Sequence, residues 1–176
     1  MRKVGLDINR PVHLVSGEIN PTVNPGLAGE VAWVRVNFVL GPWQSPDGPA
    51  WRATYDDIVQ RYLDRGIRVY GLIGHEAVKH PGTLFQGDHP HPEPPGAQVW
   101  IETYVRHFVS IVSHFRGKVS WFESFNEPNN WYQGRPLVSP YWFAKMLGAI
   151  YRAVKLDGDF EVCLLYTSPS PRDRTR

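Results

Sequence analysis

Apolar and polar positions alternate through Trp33-Val34-Arg35-Val36-Asn37-Phe38, the period-two pattern of a strand whose faces meet different surroundings. Similar short runs occur at Val4–Asn9 and Ile67–Gly74, and at Val119–Phe125, which is rich in aromatic and β-branched residues. Between them the period changes to that of a helix. Ile58, Tyr62 and Leu63 mark a helix over about Thr54–Asp64 that Gly66 ends. Trp100, Tyr104, Phe108, Ile111 and Phe115 mark another over Ala97–Phe115, as a core stripe against a sheet. A third is expected to be capped by Ser139 and to start at Pro140, burying Phe143, Met146, Leu147, Ile150, Tyr151 and Val154. A short helical piece is expected at Leu27–Ala32, and Asp159–Val162 reads as the opening of a fifth strand.

Strands alternating with helices predict βαβ units and a parallel sheet. The pattern gives four β/α units and part of a fifth, about half of an eight-unit barrel. The expected fold is therefore α/β, a (β/α)8 TIM barrel truncated after about four and a half units. Such a half leaves strand edges unpaired and interior side chains facing water.

The fourth strand carries the candidate chemistry. Pro128 stops it, and alternation puts Glu123, Phe125 and Glu127 on one face with Glu127 at the carboxyl end. Barrel enzymes present their reacting groups at that end, so Glu127 is the first candidate catalytic residue. Arg35 is expected to point inward, which is costly without a carboxylate. It either reaches an active site or pairs with Glu123, and both can hold. His75 stands at the end of strand three, on the same side as Glu127. Trp43 is either a stacking platform for a ligand or an indole folded under its own loop, and Trp131 is either such a platform or part of helix-to-loop packing. The Pro-rich stretch 76–96 holds His80, Asp88, His89, His91 and Glu93, without the helical or strand spacing of a metal site. It reads as a substrate-binding loop, and no metal or other cofactor is expected.

The stretch Phe122-Glu123-Ser124-Phe125-Asn126-Glu127-Pro128-Asn129 resembles the Trp-Glu-Ile-Trp-Asn-Glu-Pro-Asn signature of clan A glycoside hydrolases, and the chain is similar to family 5 or family 39. The resemblance implies that Glu127 is the acid/base and that Asn126 binds the sugar 2-hydroxyl. It also implies that Arg35 hydrogen-bonds the nucleophile and that the partner is a carbohydrate substrate. The clan's nucleophile is a Glu at the end of strand seven, which this sequence lacks, so the chain by itself is expected to be inactive. Retaining chemistry is implied by the resemblance alone. Two alternatives remain: a non-catalytic carbohydrate-binding barrel, and a metal-dependent barrel enzyme using His75, Glu76 and the His-rich stretch.

Composition changes this picture little. Hydrophobic residues are 42% and aromatics 13% of 176, enough for a core. The net charge of +2 offers no bulk field for nucleic acid or an anionic membrane, and no apolar run is long enough to span a bilayer. The first twelve residues lack the apolar centre of a signal peptide, and localisation is left open. Residues 163–176, from Cys163 to Arg176, resemble the read-through translation of a transposase adapter from sequencing libraries. The expected division is thus 1–162 as the half barrel and 163–176 as a non-native tail. Without that tail the basic and acidic counts balance, and the single cysteine goes with it.

Overall fold

The computed structural model describes residues 5–8, 10–26, 31–78, 97–126, 128, 131–132, 135–136, 140–158 and 161–166. Five strands form one parallel sheet in the order β1-β2-β3-β4-β7: Gly5–Ile8 (β1), Trp33–Asn37 (β2), Arg68–Ile73 (β3), Trp121–Ser124 (β4) and Cys163–Tyr166 (β7). Helices Pro49–Leu63 (α1), Ala97–His114 (α2) and Pro140–Tyr151 (α3) connect successive strands from β2 onward. Arg152–Asp157 prolongs α3 as a wider π-helical stretch. A small antiparallel ribbon pairs Trp131–Tyr132 (β5) with Arg135–Pro136 (β6).

Alternation along each strand separates two faces. Val34, Val36, Phe38, Val69, Ile73 and Phe122 are all buried, toward the helices. There Phe38 touches Trp51 and Tyr55 of α1, while Phe122 meets Phe108 of α2. Gly71 lies among them because nothing larger fits: a Cβ there would come within 2.7 Å of Phe122 and 2.8 Å of Phe38.

The helices also grip the carboxyl ends of the strands. Trp51 Nε1 donates to Val39 O at 2.9 Å, and the Tyr55 hydroxyl accepts from Val39 N at 2.8 Å. From α2, the Tyr104 hydroxyl donates to Ile73 O and lies 3.3 Å from Ser124 Oγ. His107 Nδ1 reaches Ala77 O at 2.7 Å. Each bond satisfies a polar ring atom inside the core and fixes where a strand ends. Burial drives the Tyr55 and Tyr104 hydroxyls far above the usual phenol range, so both stay neutral donors.

Several expectations need correction. Helix α1 begins at Pro49 rather than Thr54, since proline suits a first helical position, and the earlier turn brings Trp51 and Tyr55 into the core. Tyr151 is 50% exposed rather than buried. Val31 and Ala32 are not helical, and the rest of the expected Leu27–Ala32 piece lies outside the described residues. The fifth strand is Cys163–Tyr166, with Glu161 and the buried Val162 just before it and outside it; Asp159 and Phe160 lie outside the described residues. The run Cys-Leu-Leu-Tyr is apolar enough to occupy a seat beside β4, whatever the origin of residues 163–176.

Gly71→Ala is expected to destabilise the chain by about 1–3 kcal/mol through overpacking. Urea unfolding measures it; an unchanged midpoint would contradict the close approach of Phe38 and Phe122.

Candidate functional site at the sheet interior

The other sheet face carries Asp7, Arg35, Tyr70 and Glu123, one from each of four adjacent strands. Register makes them neighbours, since Asp7 pairs with Arg35, Arg35 with Tyr70, and Leu72 with Glu123. Tyr70 donates its hydroxyl proton to Glu123 Oε2 at 2.9 Å. Arg35 Nε lies 3.0 Å from the same oxygen, a charge contact without the alignment of a hydrogen bond. Arg35 Nη1 donates to Asp7 Oδ2 at 3.3 Å, and Nη2 to Asn126 Oδ1 at 2.6 Å. Glu123 is only 3% exposed. Burial raises its carboxyl above the ordinary range, while Arg35 and then Tyr70 oppose that. Arg35 thus pairs with Glu123, the second of its two expected roles, and also reaches past the strand tip to Asn126.

Asn126 gets there through a backbone reversal. Regular alternation would put Phe125 beside Glu123 and turn Asn126 away. Instead Phe125 takes φ 68°, a left-handed conformation uncommon for a bulky residue. Its ring lies among Trp100, Tyr104 and Phe143 in the helix layer, at centroid distances of 6.2, 6.0 and 6.3 Å. The expectation that Phe125 shares a face with Glu123 is thus corrected, and the switched parity carries Asn126 to the interior side. A guanidinium has only donors, so the Asn126 atom facing Arg35 is its oxygen. The amide NH2 remains to donate elsewhere.

His75 follows β3 in a 3₁₀ turn, His75–Ala77, with Nε2 3.6 Å from Glu76 Oε1 and its ring 5.8 Å from Phe125. Its Nδ1 is buried and without a partner among the described residues, as is Oδ1 of Asn37, a residue only 1% exposed. Burial lowers the affinity of His75 for a proton, with Glu76 opposing. Trp43 does not join this group through any described contact. It packs over Gly17, whose missing Cβ would stand 2.8 Å from the indole. Trp131 belongs to the ribbon at β5, its side chain outside the described set. Glu127, the expected acid/base, lies outside the described residues, as do His80, Asp88, His89, His91 and Glu93. Among the described residues no three His, Cys, Asp or Glu side chains converge as metal ligands, and no helix is long and apolar enough to cross a membrane.

Tyr70, Asp7 and Asn37 were not singled out in the sequence, and Glu123 only as a partner for Arg35. Their signal was available as polar residues on the Arg35 face of successive strands. Recognising it requires the strand register, which one sequence does not supply.

Toward the amino ends of the strands this face becomes aromatic. Trp33, Arg68, Tyr70 and Trp121 line a cavity of about 410 Å³. Trp33 meets Tyr70 edge-on at 5.9 Å, and Arg68 lies 5.2 Å above Trp121.

The fold, a parallel sheet covered by helices on one face with polar groups gathered on the other, is that of a stretch of a TIM-barrel-like α/β protein. A family 39 glycoside hydrolase from Bacteroides cellulosilyticus WH2 superposes with a TM-score of 0.55 at 15% identity, over 92% of this chain. The chain spans 30% of that protein's length. Fpglu1 from Fervidobacterium pennivoraus (TM-score 0.44, 15% identity, 91% of this chain and 47% of that one) and a GH29 α-L-fucosidase from Bacteroides thetaiotaomicron (0.43, 12%, 77% and 31%) are more distant. No family model matches the sequence, and no curated protein matches it. At this identity the likeness is one of fold.

Burial also depresses His107, with its bond to Ala77 opposing. With both His75 and His107 depressed, the unfolded chain takes up protons below about pH 6.5 that the folded chain refuses. Stability is expected to fall as pH drops from about 6.5 toward 5. Glu123, raised, contributes the opposite slope, so the comparison is between the native chain and His75→Gln/His107→Gln. A smaller acid loss in the double variant is expected by denaturant titration; an equal loss would contradict the assignment.

Proposed function

We propose that this chain is part of a glycoside hydrolase, contributing the strands and acid/base side of a carbohydrate site. Residues 1–162 are read as the N-terminal half of its (β/α)8 barrel, and 163–176 as a non-native tail. Asn126 carries the proposal. Its oxygen is occupied by Arg35, which leaves its NH2 as the donor that a sugar hydroxyl oxygen would accept from. The barrel-like fold and its likeness to a family 39 enzyme support the same reading.

Glycoside cleavage needs a proton for the departing oxygen and a second carboxylate across the anomeric carbon. Glu127, next in sequence to Asn126, is the proposed proton donor and then the base that activates water. The second carboxylate is proposed to come from the remainder of the intact protein. Its charge would hold the Glu127 proton in place until transfer, since two neighbouring carboxylates resist joint ionisation. Asn126 is proposed to strengthen its bond to the 2-hydroxyl as the ring flattens, and His75, Trp43 and Trp131 are proposed substrate contacts.

In the intact enzyme Glu127→Gln should slow glycosides with poor leaving groups by about 100-fold or more, the usual contribution of general acid catalysis. Activated aryl glycosides, which need little protonation, should lose far less in the glycosylation step. Pre-steady-state turnover of the two substrate types measures this, and equal losses would contradict an acid role.

A further inference from the structure

We infer that Tyr70 and Glu123 are positioning residues for Asn126, acting through the Arg35 guanidinium. The inference rests on the reading of Asn126 as a substrate ligand. All three nitrogens of Arg35 are engaged, each by a different segment: Nε by Glu123 on β4, Nη1 by Asp7 on β1, and Nη2 by Asn126 beyond β4. A planar fork held by two hydrogen bonds and one buried charge contact turns less freely, so the direction of Nη2 depends on what holds the other two nitrogens.

The two anchors are unequal. Asp7 has a side chain 51% exposed, and water screens its attraction. Glu123 has a side chain 4% exposed, so its field acts at low dielectric and dominates. Because Arg35 Nε meets Glu123 without hydrogen-bond alignment, that contact supplies attraction more than direction. Direction comes from Tyr70, whose hydroxyl is bonded to the same Oε2 and fixes how the carboxylate faces. Burial and the adjacent carboxylate keep the phenol protonated, so it remains a donor. Among the described residues no hydrogen bond joins either residue to Asn126, whose oxygen is held by Arg35. Their influence passes through Arg35.

The test uses the full chain with isotopically labelled arginine and asparagine, followed by NMR (in solution, or by magic-angle spinning on sedimented protein). The readouts are rotation of the Arg35 Nη groups and the resonances of the Asn126 side-chain amide. Tyr70→Phe and Glu123→Gln should each speed Nη rotation about 5-fold, the factor expected for loss of one hydrogen bond of ordinary net strength. Each should also move the Asn126 amide signals. A residue that only fills space would lower the melting temperature and leave both readouts unmoved. Unchanged Arg35 rotation, or faster rotation with no change at Asn126, overturns the inference. If Glu123→Gln does not fold, Tyr70→Phe, which removes one oxygen and keeps the ring, decides alone. Failure of the sugar reading looks different: Arg35 and Asn126 respond as expected, yet Asn126→Ala leaves the KM and kcat of the intact enzyme unchanged.

Discussion

A guanidinium inside a sheet is the constraint on which this arrangement depends. Taking Arg35 out of bulk water costs several kcal/mol unless its donors are matched. Two strands and one strand tip supply the matching groups, Asp7, Glu123 and Asn126, while Tyr70 holds Glu123. Asp7, Tyr70 and Glu123 have few other reasons to stand together on this face of the sheet. The charge is compensated only when β1, β2, β3 and β4 hold the register that brings these side chains to one place. A slip of one residue in any of them would send its polar group into the helix layer. The polar cluster and the sheet thus specify each other.

The helix layer contributes in a different way. Trp51, Tyr55 and Tyr104 are large apolar groups with one polar atom each, and each spends that atom on a strand end. Packing therefore decides not only that the strands stack but where they stop. Phe125 extends the logic. Its left-handed backbone is unfavourable alone, and insertion of its ring among Trp100, Tyr104 and Phe143 compensates. The same reversal brings Asn126 round to Arg35. A packing event on one side of the sheet thereby sets polar geometry on the other.

Much of the fold was legible because it rests on periodicity. Strands β2, β3 and β4, the body of α2 and the start of α3 lie within a few residues of where alternation and helical spacing put them. The misses have local causes. The helix expected from about Thr54 begins five residues earlier because the turn residues before Pro49 mask it as a helix start. The fifth strand was sought at 159–162, whereas the apolar run that fills the seat comes four residues later. In the site, the sequence identified Arg35 and its need for a carboxylate, since a charge within an alternating strand is conspicuous. It missed Tyr70 and Asp7, which become partners only through register. It also assumed alternation through Phe125, because nothing local announces a left-handed phenylalanine held by distant rings.

The central claim is that Arg35 and Glu123 are coupled, not merely adjacent. A double-mutant cycle with Arg35→Met and Glu123→Gln, read by equilibrium unfolding of the same chain, tests it most directly. The account predicts that either single change costs more than its share, with a coupling of at least about 1.5 kcal/mol, as for contacting groups in one network. Additivity within about 0.5 kcal/mol would contradict it.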